Sequence, residues 1–229
     1  MQGSADPVNE NDQRAMTSDN SIGRRAIEFF VNEGVITFGN FTLKSGRPSP
    51  YFFNTGSLCT GRQLAAMGRL YADTFLADPR FADATVLFGP AYKGIPIAAA
   101  AAVSLAGTDR EEMRAVSDRK EAKTHGDASA FLGVLRAGDR AVILDDVITT
   151  GGAKLEAIER LRAAGCEPVG VIIAFDRGEP LGAEGLTARE AFENQCGLPV
   201  VPIATINDLI AARPDWRDTL EAHLASVAL

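Results

Sequence analysis

The stretch from Val142 to Lys154 (Val-Ile-Leu-Asp-Asp-Val-Ile-Thr-Thr-Gly-Gly-Ala-Lys) constrains the fold of this chain more than any other. An apolar run ends in two adjacent acids, passes through a Thr/Gly turn and enters a helical pattern from Ala153 to Ala164. That order reads as strand, loop, helix, and in an open α/β sheet ligands sit beyond the carboxyl ends of the strands, where such loops lead into helices. Gly151 and Gly152 let the backbone turn tightly and approach a ligand closely. Successive N–H groups at a helix start form an anion cradle suited to a phosphate monoester, and the hydroxyls of Thr149 and Thr150 can donate to the same oxygens. Asp145 and Asp146 would repel a phosphate, so they are expected to face sugar hydroxyls or a metal-bound water shell. The expected ligand is a ribose 5-phosphate. An Asp pair that only caps the next helix is the plainer reading; the apolar run before it and Thr-Thr-Gly-Gly after it favour the ligand site.

A second unit of the same kind precedes it. Ala84 to Phe88 reads as a buried strand that ends in Gly89-Pro-Ala-Tyr-Lys-Gly94 and a helix apolar on nearly every side, Ile95 to Ala106. Two glycines suit a loop whose N–H groups face pyrophosphate, and Lys93 can add a positive charge. Met113 to Ser117 is expected to be a further strand. After it, Arg119, Lys120, Lys123 and His125 place up to four positive groups within a few residues of each other, beside Gly126. A charge run is usually a solvated face. Lying between two strands that end in phosphate-type loops, in an otherwise acidic chain, this one fits a mobile basic lid.

The flanks are less specific. Residues 1–20 are polar without apolar period and read as a disordered tail before a domain of residues 21–229. Ser21 caps a predicted helix to Asn32. Val35 to Gly56 alternates apolar and polar residues with Ser-Gly and Pro breaks, which suggests a hairpin-like lobe. There Lys44 next to Phe52 and Phe53 could seat a flat anionic heterocycle, although an exposed Lys and a core Phe pair would look the same. Thr60 with Gln63 is a capping-box pattern opening a helix with Leu64, Met67, Tyr71 and Phe75 on its inner face. Pro168 to Ala174 is an expected strand leading to Arg177, which can make a bidentate contact with a carboxylate or imide edge. A helix over Leu186 to Asn194, a strand over Leu198 to Ile203 and two terminal helices follow, with His223 structural in the last.

Composition sets the outer limits. At 229 residues the chain fits one domain, alone or with a small lobe, and 46% hydrophobic with 23% charged residues permits a sizeable core. A net charge of −7 disfavours non-specific nucleic-acid binding, which needs Lys and Arg to neutralise phosphates. Cys59, Cys166 and Cys196 are odd in number and scattered, which fits a reducing compartment and buried free thiols. With no signal-like segment and no apolar run long enough to span a bilayer, a cytoplasmic protein without membrane partners is expected.

The central thirteen residues resemble the phosphoribosyl pyrophosphate (PRPP) motif of type I phosphoribosyltransferases. Taken with Phe41-Thr-Leu-Lys-Ser-Gly-Arg47, Ser49-Pro-Tyr-Phe-Phe-Asn54, Leu87-Phe-Gly-Pro-Ala-Tyr-Lys-Gly-Ile-Pro96, Arg119-Lys-Glu-Ala-Lys-Thr-His-Gly126 and Asp176-Arg177, the chain resembles the orotate phosphoribosyltransferases. The resemblance implies an α/β fold: a central, mostly parallel sheet flanked by helices, with a small hood lobe built from the N-terminal segment to about residue 60 and part of the C-terminal region. It implies a glycosyltransferase that moves ribose 5-phosphate from PRPP to N1 of orotate, giving orotidine 5′-monophosphate and pyrophosphate in pyrimidine nucleotide (UMP) synthesis, with Mg²⁺. By the same resemblance Lys44, Phe52, Phe53, Thr149 and Arg177 hold orotate. Lys93, Arg119, Lys120, Lys123 and His125 meet pyrophosphate, Asp145 and Asp146 hold the ribose, and Thr149, Thr150, Gly151, Gly152 and Ala153 bind the 5′-phosphate. Lys123, His125 and the two acids are the expected catalytic residues, and the lid is expected to reach a partner subunit's site in a homodimer. A uracil or purine transferase, a PRPP-sensing regulator that binds RNA and a pyrophosphokinase are the competing readings.

Overall fold

The computed structural model describes residues 22–43, 46–119, 130–149, 151–180 and 185–227. A first helix, α1 (residues 22–32), leads into an antiparallel hairpin of β1 (Ile36–Thr42) and β2 (Pro48–Phe53), with a register shift between Phe38 and Phe41. Then come α2 (Gly61–Ala77), β3 (Val86–Gly89), α3 (Gly94–Ser104), β4 (Arg114–Asp118), β5 (Phe131–Leu132), β6 (Arg140–Asp145), α4 (Gly152–Ala163), β7 (Glu167–Asp176), α5 (Ala188–Cys196), β8 (Val200–Thr205), α6 (Ile206–Ala212) and α7 (Arg217–Val227). The six later strands form one sheet in the order β5-β4-β3-β6-β7-β8, parallel throughout except for β5 against β4.

Strand periodicity decides which helices cover which face. Leu87, Val142, Leu144, Ile172 and Ala174 point to one side and pack with Met67 and Tyr71 of α2 and Ile97 and Ala101 of α3. Their neighbours Val86, Phe88, Ile143, Val171 and Ile173 point to the other, onto Ala157, Ile158 and Leu161 of α4 and Phe192 of α5. Both faces are thus buried, which is why these strands read as continuous apolar runs. The predicted capping box forms: Thr60 accepts from the Gln63 N–H while the Gln63 side chain reaches back. Gly68 permits α2 and α3 to touch, since a Cβ there would lie 2.3 Å from the Ala100 carbonyl oxygen. The α3 helix is buried on one side only. Val103 is 75% exposed, so the uniformly apolar pattern does not mean burial all round.

The hairpin and the C-terminal helices share one apolar seam. Phe53 stacks on Phe175 at 5.2 Å and meets Phe30 edge-on at 5.3 Å, while Phe38 stacks on Trp216 at 4.5 Å. Among the cysteines Cys166 is buried, and burial pushes its thiol up to about 11, but Cys59 is exposed and Cys196 only half-buried, contrary to the expectation of three buried thiols.

The amino ends of three strands are tied by one carboxylate. Asp139, buried just before β6, accepts from the two terminal guanidinium nitrogens of Arg114 at the start of β4, from the Thr85 hydroxyl before β3 (3.1 Å) and from the Arg136 N–H (2.6 Å). The hydrogen bonds from Arg114 hold the Asp139 carboxyl below its ordinary range. A group lowered in this way stabilises the fold above its unfolded value and loses that contribution as pH falls through the folded one. Asp139→Ala is expected to lower stability by about 3 kcal/mol at pH 7, since Arg114 is left without its partner. Urea titrations at pH 7 and pH 3 should show the variant losing less on acidification than the parent.

Candidate functional site

Sheet order places the site. From β3 the chain moves outward to β4, whereas from β6 it moves the other way to β7 and β8, so the crevice at the switch point opens between the carboxyl ends of β3 and β6. Those are the ends carrying the Gly89–Gly94 loop and the acid pair.

The loop after β3 depends on its glycines. A Cβ on Gly89 would stand 2.0 Å from the Gly94 carbonyl oxygen, and one on Gly94 would meet the Gly89 backbone at 2.7 Å, so the loop folds back on itself only because both lack side chains. The Ala91–Tyr92 peptide is cis. Asp118, at the end of β4, accepts from the Ala91 N–H at 2.6 Å and from Arg160 of α4 at 3.2 Å, which ties the loop to both neighbours. Lys93 then crosses the crevice, its Nζ 2.6 Å from Oδ2 of Asp146.

The loop after β6 is organised around the two acids. Oδ1 of Asp145 accepts the Asp146 N–H and Oδ1 of Asp146 accepts the Val147 N–H, each at 2.9 Å. The Tyr71 hydroxyl donates to the Asp145 carbonyl at 2.7 Å, and Thr55 approaches Asp146 at 3.5 Å. Lys154, in the first turn of α4, donates to Asp145 Oδ2 and, at 2.7 Å, to the Val147 carbonyl. Burial pushes the Asp145 carboxyl up and the charge on Asp146 adds to this, while the Lys154 ammonium opposes both. Gly151 opens α4 in the left-handed region at φ +74° and offers no side-chain cap. The Lys154 N–H turns back to the Gly151 carbonyl at 2.9 Å, and those of Gly152 and Ala153 are open to an outside acceptor.

Residues 62–203 match the family model of the phosphoribosyl transferase domain. The chain is 48% identical over 192 residues to the orotate phosphoribosyltransferase of Chromohalobacter salexigens, across 82% of this chain and 81% of that one. The chain belongs to the orotate phosphoribosyltransferase family. The crystal structure of the Francisella tularensis orotate phosphoribosyltransferase superposes with a TM-score of 0.77 at 32% identity, covering 87% of this chain and 97% of the other. The Mycobacterium tuberculosis orotate phosphoribosyltransferase, crystallised in complex with PRPP, does so with a TM-score of 0.59 at 25% identity, covering 81% and 98%.

The family's fold is present: the mostly parallel sheet, its flanking helices and the two strand–loop–helix units all stand as expected. Lys93, Asp145, Asp146, Thr149, Gly151, Gly152 and Ala153 lie on the β3 and β6 loops of one crevice. Arg119, at the end of β4, bonds through its backbone to Ala130 and through Nε to the Phe131 carbonyl. Lys44, Lys120, Lys123, His125 and Thr150 lie outside the described residues.

The aromatic pair is split. Consecutive residues of a strand face opposite ways, so Phe53 is buried against Phe175 while Phe52 is 42% exposed beside Phe41. A single ligand can meet the ring of one of them, with the backbone or edge of the other. Arg177 extends from the end of β7, its guanidinium 4.3 Å from the centre of the Tyr51 ring. It donates to Ser49 Oγ at 3.0 Å and to Glu179 Oε1 at 2.8 Å through Nε.

Sequence reasoning missed the groups that hold these residues. Glu179 is buried and also meets His223 of α7 at 3.2 Å and, more loosely, Arg47 at 3.8 Å. Arg47 in turn donates to the Pro180 carbonyl at 3.2 Å, so the end of the hairpin is drawn to the end of β7. Lys154 and Asp118 were likewise unmarked. Lys154 closes the central motif and Asp118 precedes the basic run, and those positions were the available signal.

Proposed function

We propose that the crevice between the β3 and β6 loops is where this orotate phosphoribosyltransferase works, passing ribose 5-phosphate from PRPP to N1 of orotate with release of pyrophosphate, a step of pyrimidine nucleotide synthesis. The observation that carries the assignment is the meeting of Lys93 with Asp146 across the switch point. It brings a pyrophosphate-type cation and a ribose-type acid within one ligand's reach.

In this reading the 5′-phosphate sits on Thr149, Thr150 and the N–H groups of Gly151, Gly152 and Ala153, where the α4 dipole favours an anion. Asp145 and Asp146 accept from the ribose hydroxyls. Lys93, freed from Asp146, turns to the pyrophosphate with Arg119, Lys120, Lys123 and His125. Orotate lies between Lys44 and Arg177, against Phe52 or Phe53. As the bond to pyrophosphate lengthens, C1′ gains oxocarbenium character and negative charge grows on the leaving group, so the cations act where charge develops. Closure of the basic segment would also keep water from hydrolysing PRPP.

Among the described residues no group of three or more His, Cys, Asp or Glu side chains could hold a metal ion. The Mg²⁺ of the proposed reaction would be held mainly by oxygens of PRPP and by water, as Mg²⁺ is with phosphorylated substrates. It neutralises charge at the leaving group when bound. No helix among the described residues is long and apolar enough to cross a membrane.

The test is loss of orotate absorbance on adding PRPP and Mg²⁺, with uracil and hypoxanthine as controls. Orotate alone should be consumed, and consumption of either control base instead would replace this reading by another transferase of the same fold. A homodimer with shared lid residues is also proposed, in keeping with the exposed Val103, Leu132 and Val134. Mixing Lys123→Ala and Asp146→Asn proteins should then give activity well above that of either variant alone, because one hybrid site draws intact parts from both chains.

A further inference from the structure

Lys154 is a cation in two unfavourable places. It stands in the first turn of α4, where the helix dipole opposes positive charge, and its side chain is only 6% exposed. Lysine is almost never buried this far unless paired. Two of its three donors are committed, one to the carboxylate of Asp145 and one to the carbonyl of Val147.

We infer that Lys154 is a positioning residue for PRPP: it is the permanent counter-charge of the acid pair and fixes Asp145 for the ribose. This inference rests on the proposed seat of the ribose at Asp145 and Asp146. The two lysines facing the acids are not equivalent. Lys93 comes from a loop, is 47% exposed and is held by a single contact to Asp146, so it can be exchanged. Lys154 is 6% exposed and held by two contacts, to Asp145 and to the Val147 carbonyl, so it stays with the acid pair. When PRPP draws Lys93 to its pyrophosphate, Lys154 alone offsets two neighbouring carboxylates. Oδ2 of Asp145 is then held by Lys154 and Oδ1 by the Asp146 N–H, and each oxygen keeps a lone pair for a sugar hydroxyl. Without Lys154, binding PRPP would strip the acid pair of its last cation.

Lys154→Met keeps the length and apolar stem of the side chain and removes the charge. It is expected to raise KM for PRPP at least ~10-fold, with KM for orotate changed less than about twofold and kcat nearly unmoved. Lys154→Arg should recover part of the loss. Lys154→Gln, which keeps a donor without charge, should show the same split if the Met variant fails to fold, as judged by thermal unfolding. A folded variant with an unchanged KM for PRPP, or with both KM values rising together, overturns the inference. Asp146→Asn is measured beside them. If it raises KM for PRPP while Lys154→Met does not, only the role of Lys154 falls; if neither moves KM, the ribose seat falls with it.

Discussion

Lys123→Ala is expected to lower kcat by at least ~10²-fold, the scale of losing one preorganised donor to developing charge. The reaction asks little covalent chemistry of the protein. Pyrophosphate must leave carrying its charge while C1′ becomes cationic, so rate depends on what meets the leaving oxygens in the transition state. Lys93 and Arg119 are already engaged at the crevice, one with Asp146 and the other with the backbone beyond β4. In the proposed division of labour the charge of Lys123 is spent on pyrophosphate as it departs. Its loss should therefore fall on kcat more than on KM for either substrate. Steady-state kinetics with both substrates varied, backed by single-turnover rates on bound PRPP, separates the two. A kcat close to that of the parent would take Lys123 out of the chemistry and leave the basic segment as a solvated turn.

How much of this was legible follows from which signals are local. The buried parallel strands were, because Val142-Ile-Leu144 and Val171-Ile-Ile173 face apolar layers on both sides and so carry no polar alternation to confuse them. The acid pair and its glycine turn were legible for the same reason: every part of the motif lies within a few residues. The opposed faces of Phe52 and Phe53 could have been inferred from strand periodicity alone, since neighbours in a strand never share a face. The two-residue β5 is too short to carry any period, and an α3 made largely of alanine hides which side is outward. Glu179 and His223 are 44 residues apart and Arg177 needs both the end of β7 and the hairpin to find Ser49. Such pairings exist only once the sheet has brought distant loops to one edge. Lys154 is the instructive miss. In a helical pattern a lysine reads as solvent-facing, and only the tight exit from β6 turns the first turn of α4 back onto Asp145.

Gly151→Ala is expected to lower kcat/KM for PRPP by ~10²-fold, through two separable effects. At φ +74° any L side chain is strained, at roughly 1–3 kcal/mol. The added Cβ would also lie 2.5 Å from Cδ2 of Phe192. That ring cannot swing away, because it is 3% exposed and packed in the cluster with Ile148 and Val200. Either the phenyl ring or the start of α4 must move, and over-packing of this kind adds about 1–3 kcal/mol. The helix start is the softer of the two, and in the proposed site it is the part that cradles the 5′-phosphate. Displacing it by even a few tenths of an ångström misaims the N–H groups. Gly138→Ala supplies the control: φ is +85° there, nothing lies within 4 Å of the new Cβ, and the position is far from the crevice in the turn before β6. It should lower thermal stability with kcat/KM unchanged. The double variant Gly151→Ala, Phe192→Leu removes the clash and keeps the strain, so it should recover part of the lost kcat/KM at some expense in stability. If Gly151→Ala instead behaves like Gly138→Ala, destabilised but fully active, the phosphate does not rest on this turn.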